Sequence, residues 1–288
     1  MRTNHNRFIV RANECLSNNS LKPFSPRTHF RSAIRAGYYA DPFLASFVRR
    51  PVRRSPLINR GYYVRIAAVD LIISRFLTAA RSRGTGKAQI VSLGAGVDTG
   101  FWRHAAGASA LSQGAATSGQ VAAGLPNTLW VEIDFPSITS KKADVIACSP
   151  SLRGLAAGRR VAASEFAAAP VTGSLKSGAH HEIEAGISFA KLPNGGTDVT
   201  GDGGYRLVTA DLRDISGLRA RVTAAGVDPS VPTLLLSECV LVYLEPEDSC
   251  AVIAWAARHF TSSVFVTYEQ VRRRTYSYFY SIGYVNNC

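Results

Sequence analysis

The stretch IVSLGAGVDTGFWRH, residues Ile90–His104, decides how the rest of this chain is interpreted. A mainly apolar run enters a Gly-Ala-Gly turn, and an acid follows at Asp98. Glycines at the end of a strand let the backbone turn sharply and approach a ligand closely. In a doubly wound α/β sheet, this turn lies at the carboxyl end of a strand, where ligands bind. The stretch therefore predicts a cofactor-binding turn, although the glycines alone are also compatible with a plain tight turn.

The glycine spacing differs from that of a dinucleotide-binding fingerprint. The GxGxxG pattern needs a third glycine that packs the helix against the strand. Here Thr99 stands at that position, and Gly100 comes one residue later. A nicotinamide-dependent dehydrogenase is therefore disfavoured.

Five short apolar segments predict the strands of one sheet. They are AQIVSL (88–93), TLWVEIDF (128–135), YRLVTADL (205–212), PTLLLSECVLVYL (232–244, ending near Glu238) and SVFVTYEQV (263–271). Near-continuous apolar strands that alternate with helical patterns are typical of a parallel sheet covered on both faces. The segment PEDSCAVIAWAARHF (246–260) has a proline and acids in its first turn, as a crossover helix would. The fold class predicted is α/β, with a doubly wound sheet.

The remaining segments complete a predicted domain layout. Residues 31–83 have helical periodicity, with apolar residues of the later half at spacings of three and four. Two Ala/Gly/Ser-rich segments have little periodicity and are interpreted as surface insertions, mobile or disordered. The layout is a disordered leader (1–30), an N-terminal helical lid (31–83), a ligand-binding domain (84–271) with insertions 105–127 and 151–204, and an atypical tail (272–288).

Composition limits the classes of partner and compartment. The net charge of +13 can attract nucleic acid, acidic proteins or anionic membrane, although a run of like charges is usually only a solvated face. Five cysteines without a CxxC pair indicate a reducing, cytoplasmic compartment and neither a disulfide framework nor a metal site. No apolar run approaches the roughly 20 residues that a membrane span needs, so no membrane association is expected.

Acidic residues follow three of the predicted strands. Asp134, Asp211 and Glu238 each come at a strand's carboxyl end, as does the Gly94 turn. A carboxylate after the second strand is well placed to bind ribose hydroxyls. Asp211 and Leu212 would border an adenine ring. This set predicts a nucleoside-type ligand across one sheet edge, such as S-adenosylmethionine in a class I methyltransferase, whose domain is Rossmann-like.

Several long motifs resemble the leucine carboxyl methyltransferases. In order they are DPFLASFV, SPLINRGYYVR, SLGAGVDTGFWR, VEIDFP, ADLRD, PTLLLSECVLVYLEPEDS and YEQV. The resemblance runs from about Gly37 to Val271, apart from the two insertions. It implies S-adenosylmethionine as cofactor, and methylation of the C-terminal leucine carboxylate of the type 2A protein phosphatase catalytic subunit. No catalytic base is implied, because an α-carboxyl group is ionised at neutral pH.

The resemblance also assigns roles to individual residues. Arg65 would pair with the methionine carboxylate of the cofactor, and Glu238 would lie near its amino group. A further basic contact from the N-terminal helix would align near Phe30 or Arg31, of which the first carries no charge. Tyr243 either belongs to the core or orients the incoming carboxylate. The implied cofactor-binding residues are Arg65, Gly94, Asp134, Asp211, Leu212 and Glu238.

The sequence departs from the family pattern after Val271. The tail RRRTYSYFYSIGYVNNC has no family motif, and five predicted strands fall short of the seven of a class I sheet. The chain is therefore expected to be truncated at its C-terminus, poorly stable, and weakly active or inactive. Two alternatives remain: a related carboxyl methyltransferase acting on a wybutosine-type guanosine of transfer RNA, and a non-catalytic relative that binds the phosphatase.

Overall fold

The computed structural model describes residues 27–48, 52–82, 86–108, 125–161, 185–272 and 278–287. The helices of this part are α1 (Arg27–Arg35), α2 (Leu44–Phe47), α3 (Pro56–Arg81), α4 (Gly100–Ala105), α5 (Pro136–Cys148), α6 (Pro150–Ala156), α7 (Ile215–Ala224) and α8 (Pro246–His259). The strands are β1 (Ala88–Leu93), β2 (Thr128–Asp134), β3 (Ile187–Lys191), β4 (Thr197–Gly201), β5 (Tyr205–Thr209), β6 (Thr233–Glu238), β7 (Ser263–Arg272) and β8 (Tyr278–Asn287).

The strands form one sheet in the order β3-β4-β5-β2-β1-β6-β7-β8. The five strands from β5 to β7 are parallel, and they are the five that the sequence predicts. The chain moves from β1 through β2 to β5 on one side, and then crosses to β6 and β7 on the other. The strand order therefore reverses between β1 and β6, which is the topological switch point where open α/β sheets bind ligands. The predicted α/β, Rossmann-like class I methyltransferase fold is confirmed.

Two predictions about the margins of the sheet are wrong. Residues 187–191 and 197–201, placed in an irregular insertion, form an antiparallel hairpin beside β5. That insertion, predicted to span 151–204, also contains most of α6. The expected shortage of strands is wrong as well, because β8 pairs antiparallel with β7 along its whole length. The missed strands pair with strands that are close in sequence, but their Ala/Gly/Ser-rich surroundings and a tail without a family motif gave no sign of them.

Some predicted segments lie partly or wholly outside the described residues. These are 1–26 of the predicted leader, 109–124 of the first insertion and 162–184 of the second. Residues 27–30 are the exception in the leader, because α1 begins at Arg27. The prediction of a leader up to residue 30 is wrong for that turn of helix.

Helices cover both faces of the sheet, so the parallel strands are buried on both sides. All six residues of β1 are buried. One core cluster contains Ile90 and Trp130, and the cluster on the other face contains Val91 and Val131. The alternation of neighbouring residues between the two clusters follows from the two-residue period of a strand. Helix α3 turns Ile66, Val69 and Ile73 inward, so the predicted apolar face of the N-terminal segment is a packing face.

Among the described residues, no helix has both the length and the apolar character needed to cross a bilayer. Within the same residues, no group of three or more histidine, cysteine or acidic side chains is arranged to hold a metal ion.

Candidate active site

The predicted site residues lie along one edge of the sheet. In the registers, Leu93 is level with Ile133 on one side and with Ser237 on the other, and Asp134 is level with Thr209. The carboxyl ends of β5, β2, β1 and β6 therefore end in one line. The residues at these ends, or just beyond them, form a continuous rim, which we call the carboxyl rim: Gly94, Asp134, Asp211 and Glu238.

The glycine turn needs glycine for two different reasons. Gly94 and Gly96 have φ of 66° and 54°, in the left-handed region that other residues rarely adopt. A Cβ on Gly94 would lie 2.5 Å from Cγ2 of Val240, which follows β6. A Cβ on Gly96 would meet nothing within 4 Å, because this glycine faces open space. The turn is thus packed against the protein at Gly94 and open toward a ligand at Gly96.

The Asp134 carboxylate holds the turn and faces the same edge. Its Oδ2 accepts a hydrogen bond from the Gly96 amide at 2.7 Å, and its Oδ1 accepts from the Phe135 amide at 2.7 Å. Each carboxylate oxygen has more than one acceptor direction, so these bonds leave room for further donors. The predicted ribose-binding position therefore fits the geometry.

Arg65 reaches the rim from helix α3. Its Nε forms an ion pair with Glu238, and its Nη2 lies 3.5 Å from the Glu238 carbonyl oxygen. The two side chains are 11% and 16% exposed, so the pair is largely shielded from water. Burial raises the pKa of Glu238, and the Arg65 charge opposes that shift. Burial alone would lower the pKa of Arg65, but negative charge around it, first that of Glu238, raises it above its ordinary value.

Two aromatic rings flank the Arg65 guanidinium. Its Cζ lies 5.1 Å from the centroid of Phe30 on α1 and 5.6 Å from that of Tyr268 on β7, distances at which a cation is attracted to a ring. Phe30 therefore contributes an aromatic contact where the resemblance implied a basic one. Arg31 does not supply the missing charge, because it donates to the backbone oxygen of Val48.

Asp211 and Leu212 occupy different environments. Asp211 accepts from the Arg213 guanidinium, 2.6 Å away at its nearest, and these hydrogen bonds lower the Asp211 pKa. Arg213 also lies over the Phe135 ring at 5.8 Å, so it connects the ends of β5 and β2. Leu212 is 5% exposed and packs in the core, so its side chain forms the floor of this corner. The Phe135 ring is 42% exposed and was not among the predicted site residues.

The loop after β6 carries Tyr243 into solvent. The Tyr243 side chain is 81% exposed, which rules out its core alternative, and Val242 beside it is 53% exposed. Cys239 precedes them with φ of 55°, unusual for a non-glycine residue. Burial raises the pKa of the Cys239 thiol to about 11, so the thiol stays protonated at neutral pH and is a poor nucleophile.

A buried polar network supports the glycine turn from the N-terminal helices. Thr99 donates to Oδ2 of Asp41 at 2.5 Å, and Asp41 also accepts from the amides of Phe43 and Leu44 at 3.0 Å each. Arg103, 1% exposed, donates to Asp70 of α3 at 2.5 Å. His104 contacts the same Asp70 at 3.2 Å.

A second network supports the turn from helix α5 and the neighbouring strands. The Lys142 ammonium donates to the backbone oxygen of Asp98 at 2.8 Å and pairs with Glu132 at 2.6 Å. The Tyr205 hydroxyl donates to the same Glu132 oxygen at 2.5 Å. Burial raises the Glu132 pKa to about 7, although Lys142 lowers it. The turn is therefore fixed by two polar networks whose members have no role in the predicted chemistry.

Sequence reasoning missed these supporting residues for identifiable reasons. Asp41 lies in the quoted DPFLASFV motif, and Thr99 lies in the glycine stretch, but nothing in either motif says that they meet. Lys142 lies in a helix whose sequence gives no sign of burial, yet it is 1% exposed. Phe135 could have been identified from the sequence, because it is an aromatic residue directly after Asp134, the acid predicted to bind the ribose.

A separate cavity lies at the opposite edge of the sheet. Its volume is about 690 Å³, and its lining includes Gln89, Thr128 and Gly204 at the amino ends of the parallel strands. It is remote from the carboxyl rim and shares none of its residues.

The strand order, the switch point and the carboxyl rim together define a class I methyltransferase fold with a site for a nucleoside-bearing ligand. Comparison with known families identifies the group within this class. The family described as "Leucine carboxyl methyltransferase" matches residues 13–257. The chain therefore belongs to the leucine carboxyl methyltransferase family.

Relatives of two kinds are similar to this chain. A leucine carboxyl methyltransferase 1 homolog of Arabidopsis thaliana is 38% identical over 240 residues, which cover 83% of this chain and 57% of that protein. The tRNA wybutosine-synthesizing protein 4 of Homo sapiens is 36% identical, over 84% of this chain and 29% of that protein. Leucine carboxyl methyltransferase 1 of Rattus norvegicus is 33% identical, over 84% and 58%. The chain thus spans little more than half the length of these leucine carboxyl methyltransferase relatives.

The cofactor of this family is S-adenosylmethionine, as the sequence indicated. The residues of the carboxyl rim fit it. Arg65 and Glu238 offer one positive and one negative group, which match the carboxylate and ammonium of an amino acid. Gly96 faces open space beside the Asp134 carboxylate, where a ribose would lie. The exposed Phe135 ring and Asp211 mark the next corner, where an adenine would lie.

Proposed function

We propose that this chain is an S-adenosylmethionine-dependent carboxyl methyltransferase acting in the cytoplasm. Its substrate in this proposal is the C-terminal leucine carboxylate of the protein phosphatase 2A catalytic subunit. The observation that carries the proposal is the Arg65–Glu238 pair at the carboxyl rim, in a chain of the leucine carboxyl methyltransferase family. The 38% identity to a leucine carboxyl methyltransferase 1 homolog supports the choice of substrate.

The residues of the site bind the methyl donor and align it with the acceptor, and none of them transfers a proton. Bound S-adenosylmethionine supplies a methyl group on a positively charged sulfur. Arg65 and Glu238 hold the amino-acid end, Asp134 holds the ribose, and the glycine turn lets the backbone approach closely. A leucine carboxylate is already ionised at neutral pH, so the site needs no catalytic base. Alignment of the two reactants and exclusion of water then account for the rate.

Tyr243 is the candidate for orienting the acceptor. Its ring is 81% exposed on the loop that directly follows the rim residue Glu238. A phenolic hydroxyl can donate to a carboxylate oxygen without removing its charge. Tyr243→Phe would then raise the KM for the acceptor, whereas the affinity for the methyl donor would stay unchanged.

The direct test measures transfer of labelled methyl groups from S-adenosylmethionine to the phosphatase catalytic subunit. We expect transfer that disappears when the C-terminal leucine of the phosphatase is removed. Asp134→Ala should weaken binding of S-adenosylhomocysteine about tenfold or more, since a charge-assisted hydrogen bond is lost. Asp228→Asn is the matched control, because Asp228 caps a turn at the other edge of the sheet.

A transfer RNA substrate is the second candidate. Two observations favour it: the net charge of +13 and the 36% identity to a tRNA wybutosine-synthesizing protein. A positively charged protein binds nucleic acid with an affinity that falls steeply as salt is added. Parallel assays with the phosphatase and with transfer RNA separate the two. A third outcome, binding to the phosphatase without any affinity for S-adenosylmethionine, would identify a non-catalytic phosphatase-binding relative.

A further inference from the structure

The loop after β6 has a backbone that needs outside support. This loop, residues 239–243, begins with Cys239 in the left-handed region at φ of 55°. A non-glycine residue is strained there and keeps the conformation only when its surroundings impose it. The loop continues into a single 3-10 turn, Leu241–Tyr243. Something in the structure must therefore fix the backbone between the rim and helix α8.

The Glu269 carboxylate of β7 supplies this support. Its Oε1 accepts hydrogen bonds from the backbone amides of Val240 at 3.2 Å and Leu241 at 3.1 Å. The Thr267 hydroxyl lies 3.3 Å from the same oxygen. Adjacent amides that converge on one carboxylate oxygen form charge-assisted hydrogen bonds, which are stronger than bonds between neutral groups.

Neighbouring contacts show which parts of the protein the loop connects. The Cys239 amide donates to the backbone oxygen of Tyr268 at 2.8 Å, so the loop starts paired to β7. The Val240 side chain fills the space beside Gly94, and the Ser249 hydroxyl donates to the Leu241 oxygen at 3.0 Å. The loop therefore contacts both the glycine turn and α8. The amides of Val240 and Leu241 at its centre have the Glu269 carboxylate as their acceptor.

We propose that Glu269 is a positioning residue for the methyl acceptor. By fixing Val240 and Leu241, it sets where Val242 and Tyr243 stand beside the rim, and these two side chains are 53% and 81% exposed. Glu269 itself does not touch the acceptor. Its carboxylate already occupies the two amides, so the acceptor carboxylate must be oriented by side chains such as Tyr243. The kinetic part of this inference rests on the proposed function.

The first experiment tests the physical link without requiring activity. Hydrogen exchange is measured on the full chain for peptides covering the loop, in the wild type and in Glu269→Ala and Glu269→Gln. Glu269→Ala should speed exchange in the loop about tenfold, since two amides lose their acceptor. Glu269→Gln keeps an acceptor oxygen and should stay close to the wild type. Glu247→Ala, at an exposed position of α8, is the control. Equal exchange in the wild type and Glu269→Ala would overturn the proposal.

The second experiment separates positioning of the acceptor from a general structural role. In Glu269→Ala, kcat/KM for the acceptor should fall about tenfold, as expected for a displaced orienting group. The affinity for S-adenosylhomocysteine should change less than about twofold, and Glu269→Gln should recover most of the activity. Equal losses of donor affinity and acceptor kcat/KM would overturn the positioning role. If the wild type methylates neither phosphatase nor transfer RNA, the proposed function fails, and the hydrogen exchange of the loop still decides whether Glu269 holds it.

Discussion

Arg65 and Glu238 join the N-terminal helices to the sheet through one shielded ion pair. Arg65 lies on α3 and Glu238 ends β6, and they are 173 positions apart in the chain. The pair has the same two charges as the amino-acid end of the cofactor, in reverse. Binding would therefore exchange partners: the Arg65 cation for a carboxylate, and the Glu238 carboxylate for an ammonium.

Variants of this pair should distinguish its contribution to stability from its contribution to cofactor binding. Arg65→Met should lower the free energy of unfolding by about 3 kcal/mol, because it leaves the Glu238 charge shielded and unpaired. The double variant Arg65→Met/Glu238→Gln should recover most of that stability but should still bind S-adenosylhomocysteine about tenfold more weakly. Denaturant unfolding and calorimetry measure the two quantities. Arg60→Met, an exposed arginine of the same helix, is the control. Full recovery of affinity in the double variant would contradict the exchange of partners.

A side chain at position 94 should lower the stability of the protein, partly because it would collide with Val240. Gly94→Ala should destabilise the protein by about 3 kcal/mol, from the left-handed backbone and from the contact with Val240. The same change should cost less in a Val240→Ala background, where both Cγ atoms are gone. Gly96→Ala has the backbone penalty without the contact and should be milder. Thermal unfolding of the variants gives the comparison, and an unchanged cost in the Val240→Ala background would rule out the contact as a cause.

The hydrogen bond from Thr99 to Asp41 should be needed for stability. Thr99→Val has almost the same shape but leaves a buried acceptor without its donor, which costs about 2 kcal/mol. Thr99→Ser keeps the hydroxyl and should stay near the wild type. Urea unfolding measures the difference between the two variants. If valine and serine were equally stable at this position, the hydroxyl would have no part in fixing the turn.

Glu132 should make stability fall as pH rises through the neutral range. Its pKa is raised from 4.5 to about 7 in the folded protein, mainly by burial. Between these values the folded protein holds a proton that the unfolded chain has released, so raising the pH favours unfolding. Relative to Glu132→Gln, the wild type should lose on the order of 3 kcal/mol of unfolding free energy between about pH 4.5 and 8. Unfolding of both proteins across that range measures the slope, and parallel pH profiles would contradict the raised pKa.

The parts of the fold that could be predicted are those with a local pattern. The five parallel strands are mainly apolar runs, and four of them end at or just before a glycine or an acid, so both the strands and the rim were visible in the sequence. Strands β3 and β4 contain Thr, Ser and Gly, so they lack the apolar signature of a buried strand. Strand β8 is rich in Tyr, Phe, Ile and Val, which favour strands, but it lies in a tail that matches no family motif and was not predicted. All three pair antiparallel with a strand that is their neighbour in the chain, so what the sequence lacked was a clear strand pattern and not a nearby partner.

The candidate site divides in the same way. Gly94, Asp134 and Glu238 were found because the ends of parallel strands must meet at one edge. Three contacts that support the site were not predicted: Asp41 with the glycine turn, the Phe30 ring with Arg65, and Glu269 with the loop after β6. Each of these contacts joins segments whose relative position is set by packing, so no spacing in the sequence announces it.

The antiparallel strands at the two sides of the sheet determine where another chain could pair with it. Strands β4 and β8 cover the outer sides of β5 and β7, so in the described part of the chain the unpaired backbone groups of the sheet belong to β3 and β8. Free strand edges are where chains add to one another and aggregate. Another chain would therefore pair with β3 or β8 and not with a parallel strand. Such pairing would leave the carboxyl rim, at the ends of the parallel strands, uncovered.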